Sequence, residues 1–585
     1  MKKQILLAIL ALFLVVSACN AVSAASVNNS TTQLVVNNSL PVSSGSSASV
    51  VRKSAVKSVS ALSAVDDVYV SKAGDDQSGD GSKAHPYATI SKALTIVSSG
   101  GNIHILKGTY NEYGLTLDKN VNILGESQFN TIIDAKGKGN IFTINQGVNV
   151  LIQNLTLTNG AKQGSGSAIY NEGNMTVSGC TFTNNTASSS GGAIYNDWIM
   201  AVSGCTFTNN TAYDGGAIFN SWDMTVSGCT FTDNTATNSG GAIHNRITYG
   251  GSVILILNDC AFIGNNATLY GGAIFNGGTI TAHFNRFVNN TAPQGNSIDT
   301  MQGPVDAKYN WWGSNKDPSG ECSGDVNYGP WLVLTIKSSS DKTDVGGKVN
   351  VAADLQHDNN GVYHDPSEGH VIDGTVVSFS VDNGSLNPIT VELVNGSAFT
   401  VFTAKNVGSA NVSATLDKET VTTKLTVSQS KTSLTVVNVT AVAGKVVSVT
   451  AVLRDENGNA LAGKTVTFNI NGVTFTAVTD ASGVAVFKYT PTKEGVYPVN
   501  ASFAGDDNYL SCAASGVLIV NSSKPVKPVK PDSGSGDSHS GISGDNNKVH
   551  AADVIGLQKT GLPLNYLILA IFAVFSGLIM PRRKN

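Results

Sequence analysis

The chain has little charge and no cluster of metal-binding residues. Only 13% of its 585 residues are charged, and the net charge of −4 comes from 37 basic and 41 acidic residues with no basic patch. A nucleic acid is therefore not an expected partner, because proteins that bind one concentrate Lys and Arg on a single surface. The seven cysteines include no CxxC pair and no Cys/His cluster, so neither zinc nor a disulfide framework is expected.

What the chain does contain is a repeat of about 24 residues, GGAI(Y/F)N…CTFTNNTA. Its isoleucine recurs in steps of 25, 24, 25, 31 and 24 residues, at Ile169, Ile194, Ile218, Ile243, Ile274 and Ile298. Each copy is rich in Thr, Val, Ile and Phe and is broken by Gly and Asn, which is strand composition with turn residues and no helical period. The sequence therefore predicts an all-β chain built on a right-handed parallel β-helix over about residues 100–332, with one copy in each coil.

Residues at the same position of successive copies form columns, and several columns are expected to point inward. The aromatic column is Phe182, Phe207, Phe231, Phe262 and Phe287. Beside it lie the aliphatic column Val177, Val202, Val226 and Leu257 and the cysteine column Cys180, Cys205, Cys229 and Cys260, with Asn285 as fifth member. Buried free thiols are favoured for the cysteines over a disulfide between adjacent coils, because parallel neighbours seldom meet the required Cβ geometry.

Two further columns consist of asparagine. The first stands two residues after the isoleucine, at Asn171, Asn196, Asn220, Asn245 and Asn276. The second is Asn185, Asn210, Asn234, Asn265 and Asn290. Stacked amides can hydrogen-bond along the helix axis, so both columns are predicted to be inward ladders at bends.

The N-terminal sequence predicts secretion. Residues 1–25 combine a basic start with an apolar run, which is typical of a signal peptide, although Cys19 also fits a lipoprotein box. Residues 26–65 are expected to be a disordered leader, and residues 66–332 to form the β-helix with a capping helix. That helix is predicted to start at Pro86, with Tyr87, Ile90, Leu94 and Val97 on its apolar face, and to cover the open end of the solenoid.

The C-terminal half reads as a stalk with an anchor. Short alternating strands predict two Ig-like β-sandwich modules, at residues 333–429 and 430–521. A linker rich in Pro, Gly and Ser follows at 522–561, then an apolar span at 562–580 and a basic tail at 581–585. The span is long enough to cross a bilayer as a transmembrane helix, with the basic tail in the cytoplasm.

These motifs resemble those of a known group, the adhesin-like surface proteins of methanogenic archaea. The repeat itself is also similar to the polymorphic outer-membrane protein repeats of bacteria. The opening GDD…GDGS…ATISKAL…GTYN, the NWWG segment at 310–313 and PWL at 330–332 match the two ends of the archaeal β-helices. Residues 557–561, LQKTG, look like a sortase signal with Gln in place of Pro, so transmembrane anchoring and cell-wall sorting both stay open. The resemblance implies a pectate-lyase-like β-helix and a cell-surface adhesin that acts as a monomer.

The candidate binding face is a set of aromatic residues expected to point outward. Tyr170, Tyr195, Phe219 and Phe275 stand between the inward Ile and Asn, and Trp198 and Trp222 share a column three residues further on. The 31-residue step requires an insertion near residues 246–252, which is predicted to be an outward loop beside this face with Tyr249 exposed. Aromatic rows beside polar groups commonly hold sugar rings, so a glycan or a surface protein of another cell is the expected partner. The alternative is that the rings only stiffen the sheet by stacking on one another.

Chemistry on this face would rest on Glu172 and Asp197, which share a column with Arg246 two coils beyond Asp197. Their separation would suit a retaining glycosidase, but Ser221 breaks the column and no Lys or Arg is expected beside them as a lyase base. Asp-rich residues 74–81 could bind calcium, although Asp/Gly turns need no metal, and no cofactor is expected. Sequons such as Asn184-Asn185-Thr186, Asn209-Asn210-Thr211 and Asn438-Val439-Thr440 are possible glycosylation sites. The functions left open are an adhesin, a passive envelope protein and a carbohydrate-active enzyme.

Overall fold

The computed structural model describes residues 65–246 and 253–523. The N-terminal signal and leader, residues 247–252 of the predicted insertion, most of the linker and the predicted anchor lie outside these ranges. No helix within the described ranges is long and apolar enough to cross a membrane.

A parallel β-solenoid occupies the first half of the described chain. Its coils run through four parallel sheets, which we name A, B, C and D in chain order. The strands of sheet A are Val65–Val70, Val97–Ile105, Val121–Gly125, Asn149–Gln153, Asn174–Ser178, Met200–Ser203, Met224–Ser227, Ile254–Asn258, Thr279–His283, Val305–Asp306 and Val326–Asn327. Those of sheet B are Gly108–Tyr110, Thr131–Asp134, Thr156–Thr158, Thr181–Thr183, Thr206–Thr208, Thr230–Thr232, Ala261–Ile263 and Arg286–Val288.

Sheets C and D complete each coil. The strands of sheet C are Ala161–Lys162, Thr186–Ala187, Thr211–Asp214, Thr235–Ser239 and Asn266–Ala267. Those of sheet D are Leu115–Leu117, Phe142–Ile144, Ile169–Asn171, Ile194–Asn196, Ile218–Asn220, Ile243–Asn245, Ile274–Asn276, Ile298–Thr300 and Cys322–Ser323. The repeated isoleucines pair with one another in register throughout sheet D, so one sequence copy forms one coil as predicted.

The inward columns are confirmed. The phenylalanines are fully buried and stack with ring centroids 4.7–4.9 Å apart and planes within 6°. The four column cysteines are buried and free. Asn285 takes the next position of their column, where its Oδ1 accepts a hydrogen bond from the backbone N–H of Cys260 at 2.9 Å.

Both asparagine ladders are also confirmed. In the second ladder, the backbone N–H and the Nδ2 of Asn185 donate to Oδ1 of Asn210, at 3.1 and 3.0 Å, and the same pair of bonds links Asn210 to Asn234. In the first ladder, Nδ2 of each Asn donates to Oδ1 of the next, at 2.8–2.9 Å. Each amide thus satisfies a buried bend and links two coils.

The N-terminal end of the solenoid differs from the prediction in two respects. The helix α1 spans Ile90–Ile96, so it begins four residues after the predicted start at Pro86. Thr89 is its N-cap. Tyr87 lies before it, in a bridge to Val70, because the preceding turn is held by Asp76, whose carboxylate accepts from the N–H groups of Ala88 and Thr89. In addition, the parallel stack begins with the edge strand Val65–Val70, which fits the predicted domain start at residue 66 but lies well before residue 100, where the coils are expected to begin. The helix packs on this strand and its neighbour, so it covers the end of the stack as expected.

The other end of the solenoid is closed by aromatic residues, but the two adjacent tryptophans divide between two cores. Trp312 stacks on Phe287 at 4.8 Å and extends the phenylalanine column. The ring of Trp311 is instead buried in the core of the first Ig-like module. A short 3₁₀ helix, Pro318–Glu321, precedes the last solenoid strands.

Two β-sandwich modules follow. The first has one sheet of Leu332–Ser338, Lys348–Asp358, Ser385–Asn387 and Ser397–Thr403 and another of Lys342–Asp344, Val376–Val381, Thr390–Glu392, Gly408–Leu416 and Glu419–Ser428. The second has one sheet of Thr432–Val436, Val447–Asp455 and Val484–Tyr489 and another of Val439–Val442, Thr465–Ile470, Val473–Val478, Gly495–Phe503 and Cys512–Asn521.

The first module is docked against the last coils of the solenoid. The buried carboxylate of Asp417 accepts hydrogen bonds from Nε of Arg286 at 3.0 Å and from Nε1 of Trp311 at 2.7 Å. Nearby, Asp259 of the solenoid accepts from the backbone N–H of His370, at 3.2 Å. These bonds and the shared burial of Trp311 make the junction a packed interface rather than a free hinge.

Candidate functional site

The predicted outward aromatics form one continuous stack along sheet D. We name Tyr170, Tyr195, Phe219, His244 and Phe275 the ring ladder. Their centroids are 4.7–5.4 Å apart, and the first three rings lie within 7° of parallel. His244 is a member that sequence reasoning missed, although its position directly after Ile243 places it in this column.

The accessibility of the ring ladder falls along its length. Tyr170 and Tyr195 are half-buried, but Phe219 and Phe275 are only 8% and 7% exposed. Because the rings stack face to face, neighbouring rings cover the faces of the inner rings, and these rings present only their edges to solvent. A sugar ring packs on an aromatic face, so the interior of the ring ladder offers little for such a ligand.

The ammonium group of a lysine lies over the first ring of the ladder. Nζ of Lys162 lies 4.6 Å from the centroid of Tyr170. Burial lowers the pKa of Lys162, and the carboxylate of Glu172 opposes that effect. Burial, together with the charges of Glu172 and Asp197, raises the pKa of Tyr170 to about 12. The expectation that no Lys or Arg lies near the carboxylates is therefore wrong for Glu172. Lys162 belongs to an early coil outside the regular repeat, so the sequence could not assign it to a column.

The fourth ring belongs to a buried polar cluster. The hydroxyl of Ser239 lies 2.6 Å from Oδ1 of Asp214 and 2.9 Å from Nδ1 of His244. Burial alone would raise the pKa of Asp214, but its contacts with His244, Ser239 and Asn238 outweigh this and lower it. Ser, His and Asp are the residue types of a hydrolase triad, yet Ser239 is only 2% exposed and both partners converge on the same imidazole nitrogen. The cluster therefore positions the His244 ring rather than offering a nucleophile.

Beside the ring ladder stand the two tryptophans, which we name the tryptophan pair. Trp198 and Trp222 lie in the turns between sheets D and A and stack with centroids 5.0 Å apart and planes at 13°. Trp222 is 44% exposed, whereas Trp198 is half-buried. The first asparagine ladder fixes these turns, since Nδ2 of Asn196 donates to the carbonyl of Trp198 at 2.5 Å.

The polar column next to the pair runs Glu172, Asp197, Ser221 and Arg246. Register in sheet D places the first two on adjacent coils, and the backbone N–H of Asp197 donates to the carbonyl of Asn171 at 2.8 Å. The Ser221 hydroxyl is buried without a hydrogen-bond partner among the described residues. Arg246 is exposed at the last described position before the gap.

The insertion falls where the sequence placed it, but Tyr249 lies outside the described residues. Asn245 pairs with Asn220 and Leu255 pairs with Met224, so all six extra residues lie between sheet D and sheet A of one coil. Exposure of Tyr249 beside the pair therefore stays a prediction.

Within the described ranges, no group of His, Cys, Asp or Glu is arranged to hold a metal ion. The acidic turn considered for calcium uses its carboxylates internally. Asp75 accepts from the N–H of Gln77 and the hydroxyl of Ser78, and Asp80 accepts from the N–H of Ser82. These are ordinary Asx turns.

Two protein-family models match the chain. Residues 100–305 match the model described as "Right handed beta helix region", and residues 429–513 match "Bacterial Ig-like domain (group 1)". The predicted right-handed β-helix and an Ig-like module are thereby confirmed. No curated protein shows a significant sequence match to the chain.

Among the solved structures that resemble part of the chain are several bacterial surface proteins, including adhesins. The adhesin InvE of Yersinia pseudotuberculosis is 16% identical, with a TM-score of 0.19 over 32% of this chain and 58% of that one. Invasin, a bacterial integrin-binding protein, is 19% identical, with a TM-score of 0.25 over 32% of this chain and 40% of that one. A C-terminal fragment of intimin in complex with its translocated receptor Tir is 16% identical, with a TM-score of 0.16 over 32% of this chain and 64% of that one. The chain thus spans less than two thirds of each of these proteins, and such scores carry no information on what it binds.

Proposed function

We propose that this protein is a cell-surface adhesin-like protein whose solenoid binds a glycan or a surface molecule of another cell. The single observation that carries the proposal is the tryptophan pair, which exposes a large aromatic surface beside Asp197 and Glu172. Exposed aromatics next to fixed polar groups are typical of recognition surfaces. The resemblance of the repeats to archaeal adhesin-like proteins supports the same function.

The rest of the chain suits presentation of this surface. The two Ig-like modules bring no clustered chemistry of their own and act as a stalk, and the docked junction at Asp417 keeps the solenoid at a fixed angle to the first module. The predicted N-terminal signal and the predicted C-terminal apolar span support a position on the outer face of the membrane. Many copies on one cell then raise the overall affinity above that of each weak single contact, through avidity.

The test replaces both tryptophans of the pair by Ala in the full chain and measures binding to target cells and to a glycan array. We expect binding to fall at least about tenfold, since each ring contributes on the order of 1–3 kcal/mol. The matched control is Phe129→Ala, which removes an aromatic ring that is 86% exposed elsewhere on the solenoid. Normal binding by the double variant, with an unchanged circular dichroism spectrum, would leave the passive envelope protein as the better description.

A carbohydrate-active enzyme is the second candidate, favoured by one observation. Lys162, whose pKa is lowered, lies beside Tyr170 and Glu172 on the same face as Asp197. A base and two carboxylates are the groups that polysaccharide cleavage needs. New reducing ends or unsaturated sugars, lost in Lys162→Met, would establish this function.

A further inference from the structure

The two stacks of rings on the candidate face are not equivalent as surfaces for a sugar. In the ring ladder the three inner rings each have a ring neighbour on both faces, and Lys162 covers the outer face of Tyr170. The tryptophan pair has only two members, so each has one face that its partner does not cover. The face of Trp222 looks toward the coil that carries the insertion, and the face of Trp198 looks toward the preceding coil.

A glycine stands opposite Trp198 in the preceding coil, so no side chain stacks on Trp198 from that position. Asn171 pairs with Asn196 and Met175 pairs with Met200, so Gly173 stands directly opposite Trp198. In both turns the ladder asparagine donates to this position, to the carbonyl of Gly173 at 2.9 Å and to that of Trp198 at 2.5 Å. The glycine is required, because a Cβ there would lie 2.8 Å from the carbonyl oxygens of Asn145 and Val148.

One coil further back, the turn is two residues longer. Ile144 pairs with Asn171 and Asn149 pairs with Asn174, which leaves residues 145–148 against only 172–173 in the next coil. Residues 145–147 of this longer turn are exposed, Gln146 among them. Trp198 and the long turn are two coils apart, about 10 Å at about 4.8 Å per coil, and the coil between them has no side chain at Gly173. The missing side chain leaves a slot one coil high. A single sugar ring, in contact on one side with the indole, fits that height.

The charged groups near the slot are two carboxylates and one ammonium group, that of Lys162 over the Tyr170 ring. Glu172 and Asp197 flank the gap on the side of the ring ladder, and the buried Ser221 hydroxyl follows them in the same column. Asn174 on the other side is held by its bond to Oδ1 of Asn149 at 3.0 Å. Carboxylates accept hydrogen bonds from sugar hydroxyls and repel a sugar that carries a carboxylate of its own.

We infer that the open face of Trp198 is a subsite for one uncharged pyranose ring, bound by stacking on the indole and by hydrogen bonds from its hydroxyls to Glu172 and Asp197. The inference rests on the proposed function and adds to it a position and a ligand class. Uronic and sialic acids should bind more weakly, because the two carboxylates outweigh the single ammonium group of Lys162. Trp222 backs the indole of Trp198 without contact to the sugar.

The experiment uses the full chain, the single variants Trp198→Ala and Trp222→Ala, and an array of neutral, N-acetylated and uronic-acid glycans. The wild type should bind neutral or N-acetylated sugars and should bind uronic acids at least about tenfold more weakly at low salt. This difference in affinity should narrow as the salt concentration is raised. Trp198→Ala should weaken neutral-sugar binding about tenfold, and Trp222→Ala no more than about threefold, since it removes only the backing ring.

A third variant tests the electrostatic part without altering the rings. Glu172→Gln/Asp197→Asn keeps the shape of the slot, and it should abolish the discrimination against uronic acids. If Trp222→Ala weakens binding more than Trp198→Ala, or if the wild type prefers acidic sugars, the subsite is wrong while the proposed function stands. If both single variants bind cells and glycans as the wild type does, the subsite and the proposed function both fail.

Discussion

The inner asparagine of the NNT motif should matter far more than the outer one, although the two are adjacent in sequence. Asn210→Ala removes four hydrogen bonds. Two come from Asn185 to Oδ1 of Asn210, and Nδ2 of Asn210 donates the other two, to Oδ1 of Asn234 and to the carbonyl of Phe182. At about 1 kcal/mol net for each bond, the solenoid should lose about 4 kcal/mol.

The matched control is Asn209→Ala. Asn209 is exposed at the corner with φ of 55°, a left-handed conformation that Asn adopts more readily than Ala. Its replacement should therefore cost only about 1 kcal/mol. The difference of about 3 kcal/mol between neighbouring residues isolates the ladder from general effects of removing an amide.

The assay is urea unfolding of the full chain followed by tryptophan fluorescence. All five tryptophans lie at or before residue 331, so the signal follows the solenoid and its junction and contains nothing from the second Ig-like module. Each variant is compared by its midpoint and slope. Equal midpoints for Asn210→Ala and Asn209→Ala would refute the reasoning, since the amide ladder would then contribute nothing beyond what the stacked cores supply.

Four further outcomes are expected. Arg286→Ala should destabilise the docked junction by about 3–5 kcal/mol, because it leaves the buried carboxylate of Asp417 without its cation, and limited proteolysis should then separate the first module from the solenoid. Burial raises the pKa of Asp259 above its ordinary value of 3.8, against the opposing effect of His370. The stability that the protonated Asp259 gives the folded chain is therefore present at low pH and is lost as pH rises through the folded-state pKa. Asp259→Asn should flatten this part of a plot of urea midpoint against pH, and an unchanged profile would contradict it. The four stacked cysteines should resist iodoacetamide in the native chain and react only after unfolding, as read by mass spectrometry, because all four are buried. Burial also raises the thiol pKa of Cys180, Cys205 and Cys229. Protein from its native cells should carry glycan on Asn184 and on Asn209, which are exposed, and unmodified asparagine at both positions in mass spectrometry would contradict this.

The sequence by itself determined the solenoid, because a repeat places the same side chain at the same point of every coil. Phe207 and Phe231 could be assigned to the core, and Asn210 to a ladder, since strand alternation and a fixed period leave only one face for each column. Even the insertion could be positioned, because the columns on either side of it resume in register.

Only the tertiary structure decided which outward groups are available to a ligand. That Phe219 is covered, that Lys162 closes the face of Tyr170 and that Trp198 faces a glycine all depend on the height of neighbouring turns and on coils outside the regular repeat. The division of Trp311 and Trp312 between two cores likewise required the docked module, which no column of the repeat encodes. Periodicity fixes what points inward because every coil must bury the same surface, whereas accessibility on the outside depends on contacts that differ from one coil to the next.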